Sequence, residues 1–146
     1  MHSFPHHYKV IAAGEDDGSI SISASGLPDI RTAPPAEFDG PGDQWSPETL
    51  LTAAVADCFV LSFRAIAAAS KFEWAAIDCE TQGTLDRIDR VTRFTELVNT
   101  VCLKLPEGSS ETRARSLLEK AENACLISNS LSAETRLVVQ IEFITL

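Results

Sequence analysis

A chain of 146 residues, 45% apolar and 23% charged, is sized for one globular domain over residues 1–146 that builds its core without disulfide staples. A formal net charge of −9 and twelve scattered Lys and Arg exclude a protein that tracks nucleic-acid phosphates. The start, MHSFPHHYKV, lacks the basic and apolar regions of an export signal, so the expected compartment is the cytoplasm.

Tyr8 to Ala13 and Ser19 to Ala24 alternate apolar and polar residues around Glu15-Asp16-Asp17-Gly18, a β-hairpin pattern with Asp-Gly as the turn signal. Pro28, Pro34, Pro35 and Pro41, with Gly40 and Gly42, make the stretch from Gly26 to Trp45 a loop or edge segment. Ser46-Pro47-Glu48 then starts a helix: Ser46 as N-cap, Pro47 in the first turn, Glu48 complementing the dipole. This helix is expected to run to about Ser70. Its span from Leu50 to Ala69 approaches membrane length, but Asp57 and Arg64 would be costly in hydrocarbon, so it reads as a core helix and no membrane partner is expected. Nearly every face is apolar and alanine-rich, which calls for a sheet on one side and a second subunit on the other.

Two strands are expected at about Ala75 to Leu85 and Val91 to Leu105, joined by a charged turn at Asp86 to Arg90; Leu97, Val101, Leu103 and Leu105 share a face of the second. Ser109 or Ser110 caps a second helix that continues to about Cys125 and ends toward Ser128-Asn129-Ser130. A last strand, Leu137 to Phe143, sets Leu137, Val139, Ile141 and Phe143 on one face. The order ββ-α-ββ-α-β is an α+β pattern.

The four cysteines decide the chemistry. Cys79 follows the strand alternation of Ile77, and Cys102 lies in an apolar run; both read as small buried hydrophobes. Cys58 and Cys125 lie in the middle and at the end of helices, and by spacing alone are either structural or reactive. No CxxC or HxE spacing is present, which removes zinc ribbons, thioredoxin motifs and metal-dependent hydrolases or deaminases. His2, His6 and His7 have no carboxylate cluster near them in sequence, so no metal is expected. Trp45 and Phe59 either line an apolar pocket or fill the core.

The run Ser46-Pro-Glu-Thr-Leu-Leu-Thr-Ala-Ala-Val-Ala-Asp-Cys58-Phe59 resembles the first signature of the OsmC/Ohr family, in which Pro-Glu begins a long helix and a reactive Cys follows ten residues later. Ala121-Glu-Asn-Ala-Cys125-Leu-Ile-Ser-Asn-Ser-Leu131 resembles the second, where a Cys precedes a Ser-Asn pair and a final strand. The Pro-Gly-rich segment before Ser46 and the opening His7-Tyr8 are also similar. The resemblance covers nearly the whole chain.

It implies antiparallel sheets wrapped around long central helices in an intertwined homodimer with its sites at the subunit interface. The implied activity is a two-cysteine peroxidase that reduces organic hydroperoxides or hydrogen peroxide, in defence against oxidative stress. Cys58 would be oxidised to a sulfenic acid, and Cys125 would resolve it as a disulfide that a dithiol, such as a dihydrolipoyl group, reopens. No cofactor is implied. Glu48 matches the family's glutamate; ten residues along a helix advance ~15 Å, so it would serve Cys58 of the other subunit. The family's arginine is missing from both of its usual places, which here hold Glu15-Asp16-Asp17 and Glu37-Phe38. Arg31 and Arg64 are the candidates to orient thiolate and peroxide. Asp57, beside Cys58, would raise the thiol pKa if it pointed inward. The alternative is a non-catalytic dimeric binding protein of the same fold with an apolar interface pocket, which the missing arginine favours.

Overall fold

A computed structural model describes residues 1–145, which divide into two compact units, residues 1–50 and the residues from 51 onward. In the first, β1 (Ile11–Ala13), β2 (Ile20–Ser23) and β3 (Ile30–Thr32) form an antiparallel sheet in that order. The expected hairpin is present with shorter strands, Ala12 facing Ile22, and Gly18 supplies the positive φ of the connection. Strand β3 takes up the edge-segment alternative within the proline-rich stretch. Proline frames it on both sides, but Ile30-Arg31-Thr32 itself keeps free amides and pairs with β2. Ala33 N–H then donates to Trp45 O at 2.9 Å, closing the proline-rich loop on itself. Inside that loop Gly40 N–H donates to Pro35 O at 3.0 Å, and a Cβ on Gly40 would overlap the Pro34 carbonyl.

The helix α1 (Pro47–Ala69) begins as expected. Ser46 Oγ accepts from Thr49 N–H at 3.1 Å, and Ser46 is buried. By length and composition α1 could cross a bilayer, yet Val55, Phe59, Phe63 and Ala67, spaced by four, are buried in the protein.

In the second unit, β4 (Ala76–Ile88), β5 (Val91–Pro106) and β6 (Glu134–Ile144) make a sheet in the order β4-β5-β6. Strand β4 runs three residues further into the charged turn than composition indicates, and β5 begins at Val91 as expected. Asp89 and Arg90 both adopt positive φ, and a two-residue turn of that kind matches the twist of a hairpin. The pair β5–β6 is parallel, which corrects the expectation of wholly antiparallel sheets. Parallel neighbours need a crossover, and α2 (Glu111–Ala124), capped by Ser110 through Arg113 N–H at 3.1 Å, lies within it.

Phe59 and Phe63 of α1, Val101, Leu103 and Leu105 of β5, and Leu117, Leu118 and Ala121 of α2 form one core. Phe63 meets Trp74 edge-to-face, ring centroids 5.4 Å apart. Arg113 lies over the Phe72 ring and donates to Ser70 O, tying α2 to the end of α1. Phe59 is therefore core, whereas Trp45 is half exposed. Phe143, set by alternation on the face of Leu137, Val139 and Ile141, is likewise about half exposed. Cys102 corrects its expected burial: it points away from the Val101–Leu103 face, with its thiol 3.6 Å from Glu142 Oε2. Phe63→Ala removes a fully buried ring and is expected to lower unfolding free energy by about 3–5 kcal/mol, read by urea titration.

Candidate functional site

The second helix ends at Cys125, where the sequence places its end. Cys125 adopts an extended conformation (φ −64°, ψ 105°), ending α2, and the chain restarts as one short helix, α3 (Leu126–Asn129). Asn129 holds the break, its side-chain amide donating to Asn123 O at 3.1 Å and its backbone N–H to Cys125 O at 3.0 Å. The first amides of any helix lack partners within it. Here those of Leu126 and Ile127 act on the sulfur of Cys58, in the middle of α1, and favour its thiolate.

The Cys125 thiol also favours the Cys58 thiolate, and both cysteines are free thiols. Cys125 is 1% exposed and accepts from the buried Ser128 hydroxyl at 3.4 Å, while Cys58 is half-buried. One turn along α1, Ser62 Oγ lies 4.0 Å from Cys58 Sγ. Burial raises the Cys58 thiol pKa, but the Ile127 amide, the Cys125 thiol, the Ser62 hydroxyl and the Leu126 amide together outweigh it and hold the thiol below its ordinary value. Cys58 opens on a cleft of about 430 Å³. One face of α1, including Ala54, Leu61, Ser62 and Ala65, and the side chains of Leu126 and Ile127 make its walls, which are mostly apolar. Asp57 at the edge is the one charged lining residue.

Cys79 differs. It lies inside the sheet with its thiol 3.8 Å from Asn99 Oδ1, to which Thr81 Oγ1 donates at 2.6 Å. Burial raises its pKa, the Asp78 and Cys125 charges add to this, and the Thr81 hydroxyl offsets part of it. Asn99 is 1% exposed on the otherwise apolar face of β5.

Of the other sequence-derived candidates, Glu48 sits in the first turn of α1 and lines, with Thr32, Ala33, Pro34 and Phe38, a cleft of about 330 Å³ within residues 1–50. Arg31 is exposed on β3, and Arg64 is exposed on α1 outside the Cys58 cleft. Asp57 is exposed and is not among the groups that shift Cys58. Among the described residues no group of three or more His, Cys, Asp and Glu could hold a metal ion. Sequence reasoning missed Ser62, Ser128 and the two amides. The spacing of four from Cys58 to Ser62 was the available signal; the amides carry no residue-type signal at all.

The fold and this pair of thiols define an α+β protein with a thiol site at a helix break. The OsmC-like protein family model matches residues 40–140, and the chain belongs to that family. It is 26% identical over 109 residues, 73% of each chain, to the uncharacterized protein YmaD of Bacillus subtilis (strain 168). Its fold is similar to that of an OsmC-like protein of unknown function from Vibrio cholerae (TM-score 0.81, 18% identity, covering 94% of this chain and 99% of that one). It is also similar to that of an organic hydroperoxide resistance protein OsmC from Legionella pneumophila (TM-score 0.73, 23% identity, covering 94% and 99%).

The pH profile of Cys58 alkylation should have its midpoint below that of Cys79, because only the thiolate reacts. Ser62→Ala removes one donor to the thiolate and should move the Cys58 midpoint to higher pH, with Ser62→Thr restoring it; mass mapping of the alkylated peptides reads both.

Proposed function

We propose that the protein is a thiol-dependent peroxidase in which Cys58 attacks a hydroperoxide and Cys125 resolves the product. The observation that carries this reading is a pair of free thiols in which Cys125, fully buried, favours the thiolate of Cys58, half-buried at a cleft. Family membership supports a peroxide-related redox function, as does the organic hydroperoxide resistance named for the Legionella relative.

The Cys58 thiolate forms an S–O bond to the terminal peroxide oxygen as the O–O bond breaks. Sulfur supplies the electron pair, and the leaving alkoxide takes a proton to become the alcohol. Cys125 then displaces water from the sulfenic acid and forms the Cys58–Cys125 disulfide. An external dithiol, of the dihydrolipoyl kind, reopens it by exchange. No metal, flavin or haem enters, since sulfur carries both electrons. The setting is the cytoplasm, where glutathione and thioredoxin systems keep resting thiols reduced.

The active species is a homodimer, and residues 1–146 act as one domain within it. Leu61, 48% exposed on the apolar helix α1, is the kind of surface a second copy covers. Glu48 of one subunit serves Cys58 of the other, because ~15 Å of helix separates the two residues within a chain. The runner-up, a non-catalytic dimeric binder, is favoured by one observation: no Lys, Arg or His lines the Cys58 cleft.

One equivalent of hydroperoxide should lower the reduced protein's mass by ~2 Da through the disulfide. Cys125→Ser should stop at a trappable sulfenic acid, and Cys58→Ser should not react. Peroxide that is neither consumed nor answered by a disulfide rejects the peroxidase and leaves the binder. Cys58→Ser and Glu48→Gln subunits, each weak alone, should regain activity on mixing, since a mixed dimer holds one intact site. Absence of recovery in dimers that exchange subunits rejects the shared site.

A further inference from the structure

Cys125 is the N-cap of α3, a position whose side chain ordinarily accepts from an amide of the first turn, yet its sulfur makes no such bond. The sulfur accepts instead from the hydroxyl of Ser128, three residues on, at 3.4 Å. Both groups are inside the protein, Cys125 1% and Ser128 7% exposed. Ser130 shows the usual alternative for a serine in a helical turn, its hydroxyl donating to the Leu126 carbonyl four residues back at 2.8 Å. Ser128 directs its hydrogen bond to sulfur. The backbone holds it there: Asn129 N–H donates to Cys125 O at 3.0 Å and Leu131 N–H to Ser128 O at 3.1 Å, which fixes the turn between the two side chains.

We infer that Ser128 is a catalytic residue of the resolving step, its hydroxyl donating to the Cys125 sulfur while that sulfur attacks Cys58. This role rests on the peroxidase reading and adds a residue to it. In that step the Cys125 S–H bond breaks and an S–S bond forms to Cys58. The S–O bond of the sulfenic acid breaks, and the proton leaves with the hydroxyl as water. Negative charge grows on the Cys125 sulfur as its proton departs, at a place that bulk water does not reach. A donor already aimed at that atom stabilises the charge without reorganisation. The consequence is a choice between two fates of Cys58. A sulfenic acid met quickly by Cys125 becomes a disulfide, which a dithiol reopens. One that waits meets a second hydroperoxide and takes up its oxygen as the sulfinic acid, releasing the alcohol. Ser128 therefore keeps the cycle reversible.

The attack of Cys125 can be timed without any peroxide. Methyl methanethiosulfonate converts the Cys58 thiolate to a methyl disulfide, ~46 Da heavier, from which Cys125 displaces methanethiol to give the same Cys58–Cys125 disulfide. With Cys79→Ala and Cys102→Ser as background, mass spectrometry after acid quenching follows both stages. Ser128→Ala should leave the first stage within about twofold and slow the second roughly ten- to a hundredfold, the scale of one lost donor at a buried reacting atom. Ser128→Thr, which keeps the hydroxyl, should restore it. With tert-butyl hydroperoxide in excess, Ser128→Ala should accumulate Cys58 sulfinic acid, ~32 Da above the reduced mass, where wild type and Ser128→Thr stop at the disulfide. Displacement as fast in Ser128→Ala as in wild type, no displacement in any variant, or a threonine as slow as alanine overturns the inference, as does equal sulfinic acid in Ser128→Ala and wild type. If methanethiol leaves as expected but no hydroperoxide is consumed, the peroxidase reading fails and the role of Ser128 at the Cys125 sulfur stands.

Discussion

One backbone residue organises the chemistry of this protein. Cys125 leaves helical geometry between α2 and α3, and that single extended step has two effects. It turns the Cys125 thiol inward, where Ser128 holds it, and it frees the amides of Leu126 and Ile127 from any helical partner. Both effects converge on Cys58. An uninterrupted helix through Ser128 would use those amides in its own ladder and leave the sulfur with Ser62 alone.

The break can act at a distance in sequence because α1 is fixed by packing. Its stripe of Val55, Phe59, Phe63 and Ala67 is buried, and the last three join Val101, Leu103 and Leu105 of β5 and Leu117 and Leu118 of α2 in the core. Cys58 and Ser62 lie beside that stripe on the helix surface, so the core sets the direction in which they point. The thiol is made more acidic by neutral hydrogen-bond donors that stabilise the thiolate rather than by a neighbouring cation.

Much of this was legible in the residues. The Ser46-Pro47-Glu48 start, the Ser110 cap and the alternation of Leu97 to Leu105 each report a local preference, and each element formed where its signal lay. Short β3 carries no periodic signal of its own and exists because β2 offers it an edge. The misses also have causes. The parallel pairing of β6 is a choice between partners, which alternation within one strand does not encode. Cys102 was misplaced because an apolar run does not tell which face each residue takes until register is set against a neighbour. Asn99 shares the buried face of Leu97 and Val101, where Thr81 and Cys79 from β4 supply its partners.

The sequence by itself determined the family, through two cysteine-bearing runs with matching flanks, and the placement of Cys58 within one helix and Cys125 at the end of another. Those are local properties: caps, periodicity and the order of side chains along the chain. Only the tertiary structure decided that the Cys125 thiol and the amides of Leu126 and Ile127 act together on Cys58. It also decided that Asp57 is among the residues lining the Cys58 cleft and Arg64 is not. Amides are identical at every residue but proline, so which of them stand unpaired, and what they meet, is fixed by where a helix breaks and what packs against the break.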